Sequence, residues 1–166
     1  MGESLAIQAA KNGHYANGLP LRIHAVDRAA ERRERSLRLR YPCFEKCAAI
    51  TFRAAEFEDP DTVETVRSLA LAPDTLSTIA VCFDDDSKNV QYALSLRRAL
   101  GDAPIPVLVR LSEEFGLARL LRDHDLGHIH PLAPISTASS WPVLMGEETD
   151  RMARFIHAQY LSLIHI

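Results

Sequence analysis

Three consecutive carboxylates, Asp84, Asp85 and Asp86, break an otherwise apolar run in TIAVCFDDDSKN, residues 78–89. A lone arginine, Arg110, closes a second such run in IPVLVRL. A third run, LRIHAVD, ends in Asp27 with Arg28 beside it, and Glu56 stands just ahead of Asp59-Pro60-Asp61. Carboxylates in these places cap the helix that follows or face a ligand, and the two roles are compatible. Other residue sets carry less chemistry. Ser136, Ser139 and Ser140 lack the G-x-S-x-G elbow of a hydrolase. His124, His128 and His130 have no acid or cysteine at a known ligand spacing, and His157 has no paired ligand on its helix face, so these histidines read as structural or solvent-facing. Cys43 and Cys47 share a C-x3-C spacing without a second pair, and Cys82 lies in a strand pattern. All three read as buried or half-buried free thiols of a reducing cytoplasm.

The elements that position these tips alternate. Residues 3–12 form a helix with Leu5, Ala6, Ala9 and Ala10 on its apolar face, stopped by Gly13 and Asn17-Gly18. A strand at 21–27 leads into an arginine-rich helix at 28–40. There the arginines at 28, 32, 33, 35, 38 and 40 alternate with Glu31 and Glu34, the pattern of a solvated helix with internal ion pairs. A strand at 48–55 precedes a helix that starts at Asp59-Pro60-Asp61 and buries Val63, Val66 and Leu69. Strands at 78–83, 105–111 and 127–132 follow, separated by a helix with Val90, Ala93, Leu94 and Leu100 that stops at Gly101, and by another at 113–123. Residues 133–146 read as a linker and 147–166 as the start of a further amphipathic helical unit.

Apolar strand, polar tip, helix and apolar strand in repetition predict a Rossmann-like α/β fold, a mostly parallel sheet with helices on both faces. Ligands of such sheets bind at the carboxyl ends of the strands. A doubly wound sheet starts with a strand, yet this chain starts with a helix. Met1-Gly2 stands where the last glycine of a G-x-G-x-x-G fingerprint belongs. The expectation is a domain over 1–132 that lacks its first strand and the first two fingerprint glycines, in a fragment open at both ends. A hydrophobic fraction of 47% and a charged fraction of 25% fit one globular domain, and the net charge of −3 gives no electrostatic basis for nucleic-acid binding. No signal-peptide pattern or membrane-length apolar run is present, which predicts a cytoplasmic location.

On these residues, and above all on Asp84 to Asn89 and Ile105 to Arg110, the chain resembles the NAD-binding regulatory domain of potassium-uptake and potassium-channel proteins, the Trk/RCK type, over residues 2–132. RMARFIHAQYL, residues 151–161, is similar to the opening of the helical repeat named after ryanodine receptors. The first resemblance implies NAD as cofactor. Asp27 would bind the ribose hydroxyls, Arg28 the adenine or a phosphate, and Glu56 would lie near the adenine. Asp84 and Asp85 would border the nicotinamide half, Arg110 would end the neighbouring strand of the site, and Gly2 would lie against the pyrophosphate. It implies a non-enzymatic sensor that pairs with a second copy and controls a potassium or cation transport unit of the same protein. Two other readings stand beside it. One is a fragment of an NAD(P)-dependent oxidoreductase, in which Tyr92 is the nearest proton donor without a Tyr-x-x-x-Lys pair. The other is an interaction module that docks a partner through Trp141 and the terminal helix.

Overall fold

The computed structural model describes residues 2–13, 18–112 and 126–132. Its elements are α1 (Gly2–Asn12), β1 (Leu21–Val26), α2 (Ala30–Arg40), β2 (Ala48–Arg53), α3 (Pro60–Ala70), β3 (Ile79–Val81), α4 (Asp86–Leu100), β4 (Val107–Arg110) and β5 (Ile129–Leu132). A 3-10 turn at Phe44–Lys46 was not foreseen. The helix expected at 113–123, the linker at 133–146 and the unit at 147–166 lie outside the described residues, and with them His124, Trp141, His157 and the three serines.

Every strand pair is parallel, and helices flank the strands, as a Rossmann-like α/β fold requires. The strands nevertheless form two sheets, β1-β2 and β3-β4-β5. A doubly wound sheet has the order 3-2-1-4-5-6. Removing strand 1 leaves two pieces, 3-2 and 4-5-6, and these correspond to β2-β1 and β3-β4-β5. No ladder joins β1 to β3, so the expected break is present.

Side-chain alternation assigns the faces. Leu21 and Ile23 of β1, with Ala48, Ile50 and Phe52 of β2, pack with Ile7 and Ala10 of α1 and Leu37 of α2. Val81, Val107, Val109 and Ile129 pack instead with Ala70 of α3 and with Ala93, Leu96 and Leu100 of α4. Cys82 must point away from that second core because Val81 points into it. A Cβ on Gly2 would stand 3.6 Å from the Cys82 Cβ, so α1 starts on the face of β3 opposite α4. The same helix ends against β1: a Cβ on Gly13 would come within 2.8 Å of the Leu21 side chain and 2.7 Å of the Ala9 carbonyl. Helix α1 therefore runs beneath the break, from the tip of β3 to the start of β1.

Several buried stripes differ from the sequence expectation. On α3 the inward positions are Thr62 and Ala70, flanked by Val63 and Val66, while Leu69 is 38% exposed beside a groove over His24, Thr51 and Arg53. On α4 Leu96 is fully buried and Leu94 is 42% exposed. A spacing of three or four residues allows either choice, and the neighbouring sheet selects between them. Cys43 and Cys47 are exposed rather than buried, because they bracket the 3-10 turn whose inward residue is Phe44. Cys82 is half-buried, and burial pushes its thiol pKa up.

The start and stop signals perform as their chemistry demands. Asp59 caps α3 by accepting from the Asp61 N–H at 3.0 Å, with Pro60 in the first turn. Gly101 ends α4 at φ 59° and ψ −130°, a conformation that a side chain would strain. Arg97 secures the turn beyond it, donating to the Gly101 carbonyl, to Ala103 O at 2.8 Å and to Ile105 O at 3.3 Å. Among the described residues, one of the expected internal pairs of α2 forms, Arg38 with Glu34, while Arg33, Arg38 and Arg40 pair beyond the helix with Asp27, Glu45 and Glu3.

Candidate functional site

Parallel strands deliver their carboxyl ends to one edge, and the tip residues gather there. The Asp27 N–H donates to Arg53 O at 3.1 Å, which places the β1 tip beside the β2 tip. From the loop after β2, Phe57 packs edge-on against Phe83 at the β3 tip, with ring centroids 4.1 Å apart. Glu58 of that loop meets Lys88 of α4 at 3.5 Å and also lies in the field of Arg28. Its carboxyl is held below the usual range, first by its own backbone N–H and then by Lys88. Asp27, Arg28, Glu56, Asp84 and Arg110 thus share one edge, as the topology predicts.

Their local tasks differ. The Asp27 carboxylate accepts from the Ala29 N–H at 2.7 Å and from Arg33 Nε at 3.3 Å, which fixes its orientation at the start of α2. A carboxylate offers about four acceptor sites, so about two remain for a ligand. Glu56 has an exposed side chain, while its carbonyl accepts from the Thr62 hydroxyl at 2.6 Å and so anchors α3. Asp85 caps α4 through the Lys88 N–H at 3.0 Å. Asp86 holds Ser112, accepting from its N–H at 2.8 Å and lying 3.1 Å from its hydroxyl. Asp84 alone of the three projects fully into solvent, 3.0 Å from Arg110. Gly2 opens α1 beside Cys82, at the tip end of β3.

The residue that binds two of these tips together is Asn89. It is fully buried and uses three bonds: Oδ1 accepts from the Phe83 N–H at 2.7 Å, and Nδ2 donates to Phe83 O at 3.0 Å and to Arg110 O at 2.9 Å. Arg110 adds a bond to Phe83 O at 2.6 Å. Helix α4 therefore closes the ends of β3 and β4 with side chains in place of a ladder. This explains why β3 stops at Val81 rather than at residue 83.

The sequence reading passed over the aromatic group of Phe57, Phe83 and Tyr92 and the Glu58–Lys88 pair. Phe57 and Phe83 directly precede or follow acids, a position that could have marked them as tip residues. The Tyr92 hydroxyl is buried without a hydrogen-bond partner among the described residues, and burial raises its pKa above the ordinary 10.0. Tyr92→Phe is therefore expected to raise stability by about 1 kcal/mol, the scale of one unsatisfied buried hydroxyl. The phenol also favours folding only while neutral. Wild-type stability should fall as pH rises from about 10 through the raised folded pKa, a loss that the phenylalanine variant lacks. Paired urea titrations at neutral and alkaline pH measure both effects; a less stable variant would mean that the hydroxyl has a partner.

Compared with models of known families, with curated proteins and with solved structures, the chain matches none of them. Among the described residues, no helix is long and apolar enough to cross a membrane.

Proposed function

We propose that this edge binds a dinucleotide of the NAD type and that the domain senses the ligand without turning it over. The observation that carries the reading is Asp27: a carboxylate at the end of a parallel strand, oriented by the Ala29 N–H and with acceptor capacity left for a ribose diol. Its negative charge repels a 2′-phosphate, which favours NAD over NADP. Arg28 and the exposed Asp84 extend the edge on either side, with the amino end of α1 available to the phosphates. The Tyr92 hydroxyl, one turn into α4, is buried without a hydrogen-bond partner among the described residues, which supports a sensing role over proton transfer. The resemblance of Asp84–Asn89 and Ile105–Arg110 to regulatory domains of potassium transport proteins supports control of cation flux as the output, in an assembly of paired copies.

Calorimetric titration of the 166-residue chain with NAD, NADH and NADP, for wild type and Asp27→Ala, tests the reading. The expected result is tighter binding of NAD(H) than of NADP. Asp27→Ala should lose about 1–3 kcal/mol of NAD affinity, roughly five- to 150-fold, the scale of a charge-assisted hydrogen bond. Equal affinity in the variant would remove Asp27 from the site. Sustained hydride transfer from NADH to a carbonyl compound would replace the sensor with an oxidoreductase.

A further inference from the structure

Two cysteines that the sequence alone placed inside the protein stand on its surface, and the turn between them is anchored in the core. Helix α2 ends at Arg40 and β2 begins at Ala48, and Cys43 and Cys47 bracket the 3-10 turn that connects them. Both thiols are free and exposed, whereas Cys82 is half-buried. The turn leads into the start of β2, so it lies at the edge opposite the strand tips.

Backbone hydrogen bonds define the spacing of the pair. The Tyr41 N–H still bonds Leu37 O in the α-helical manner. From there the ladder tightens: the Phe44 N–H bonds Tyr41 O at 3.0 Å, the Lys46 N–H bonds Cys43 O at 3.0 Å and the Cys47 N–H bonds Phe44 O at 2.9 Å. A 3-10 turn rises about 2.0 Å per residue, which sets Cys43 and Cys47 about 8 Å apart along its axis, beyond the roughly 4.4–6.8 Å between Cα atoms that a disulfide accepts. An α-turn rises about 1.5 Å per residue and brings the same positions to about 6 Å. A bond between the two sulfurs therefore requires the turn to rewind, with the Cys47 N–H passing from Phe44 O to Cys43 O.

Rewinding moves two groups. Phe44, only 8% exposed, is the inward residue of the turn and shares a core with Ala10 of α1, Leu37 of α2 and Ala48 of β2. Glu45 beside it is tied to Arg38 of α2. Passing from about 120° to about 100° per residue swings both side chains relative to that core. A cavity of about 170 Å³, lined in part by Leu37, Tyr41, Phe44 and Ile50, gives the ring room to shift.

We propose that Cys43 and Cys47 are a redox pair oxidised by small disulfides of the glutathione type, and that closing their bond rewinds the turn and displaces Phe44 from the core beneath α2. One thiol, as its thiolate, attacks oxidised glutathione, releases one glutathione thiol and leaves a mixed disulfide. The second thiol attacks the protein sulfur of that bond and releases the other glutathione. The oxidant gains two electrons and both protons, and the protein exchanges two S–H bonds for one S–S bond. The inference does not depend on the ligand held at the strand tips.

The probe is oxidised glutathione, added to the full chain and to its Cys82→Ser variant. In both, the intact mass should fall by two hydrogens. Trypsin, which cuts after Arg40, Lys46 and Arg53, should then release 41–46 and 47–53 joined by one reducible bond. The methyl NMR signals of Leu37 and Ile50 should shift on oxidation and return with a dithiol reductant. In mixtures of reduced and oxidised glutathione, Phe44→Leu, which packs less tightly, should favour the disulfide about fivefold over wild type. Unreacted thiols, stable glutathione adducts on both cysteines, disulfide-linked dimers alone or a bond to Cys82 would overturn the pairing. Unshifted methyl signals, or a Phe44→Leu equilibrium equal to that of wild type, would overturn the coupling to the core.

Discussion

Asn89→Ala is expected to lower the stability of the protein by about 3 kcal/mol, since it leaves the Phe83 N–H and the Arg110 carbonyl without their buried partner at roughly 1–2 kcal/mol each. Phe83 O would keep its bond from Arg110, so the two strand tips would loosen without separating. Urea unfolding is the measurement, and an unchanged m-value would show that the loss lies in the native state. Asn89→Asp sharpens the point. It keeps an acceptor for the Phe83 N–H but sets a carboxylate against two carbonyls, so its loss at neutral pH should exceed that of alanine. The new acid would have a raised folded pKa. The stability that it contributes when neutral is present below the unfolded value of about 4 and disappears as pH rises through the folded value. Part of the loss should therefore return on acidification. A loss below about 1 kcal/mol in the alanine variant would mean that water replaces the side chain and that the latch is dispensable.

Arg97→Ala should cost about 2 kcal/mol, less than three full charge-assisted bonds because the guanidinium is only half-buried. The carbonyls of Gly101, Ala103 and Ile105 close the turn that carries the chain from α4 into β4, and one planar group serves all three. Arg97→Lys should recover less than half of the loss, since an ammonium is a point donor and cannot span the set. The readout is thermal unfolding together with amide exchange through residues 101–107, where the variant should exchange faster. A lysine variant as stable as wild type would show that charge at the end of α4, rather than the fork geometry, does the stabilising.

Short-range information determined much of this molecule. The alternation of apolar runs with polar tips specified parallel strands and connecting helices, because strands buried on both faces must be apolar throughout. Asp59-Pro60, Asp85 and Gly101 specified helix ends through bonds and dihedral limits that need only the neighbouring few residues. The break between β1 and β3 was legible for the same reason, since the order of elements is itself sequence. Tertiary structure alone decided which side of each helix faces inward. Leu69 and Leu94 satisfy the helical period as well as Ala70 and Leu96, and only the position of the sheet distinguishes them. It also decided how the acids divide their labour. Asp84, Asp85 and Asp86 are chemically identical neighbours, yet one faces solvent beside Arg110, one caps α4 and one holds Ser112. Those partners lie from 3 to 26 residues away, and no local pattern ranks such contacts before the chain has folded.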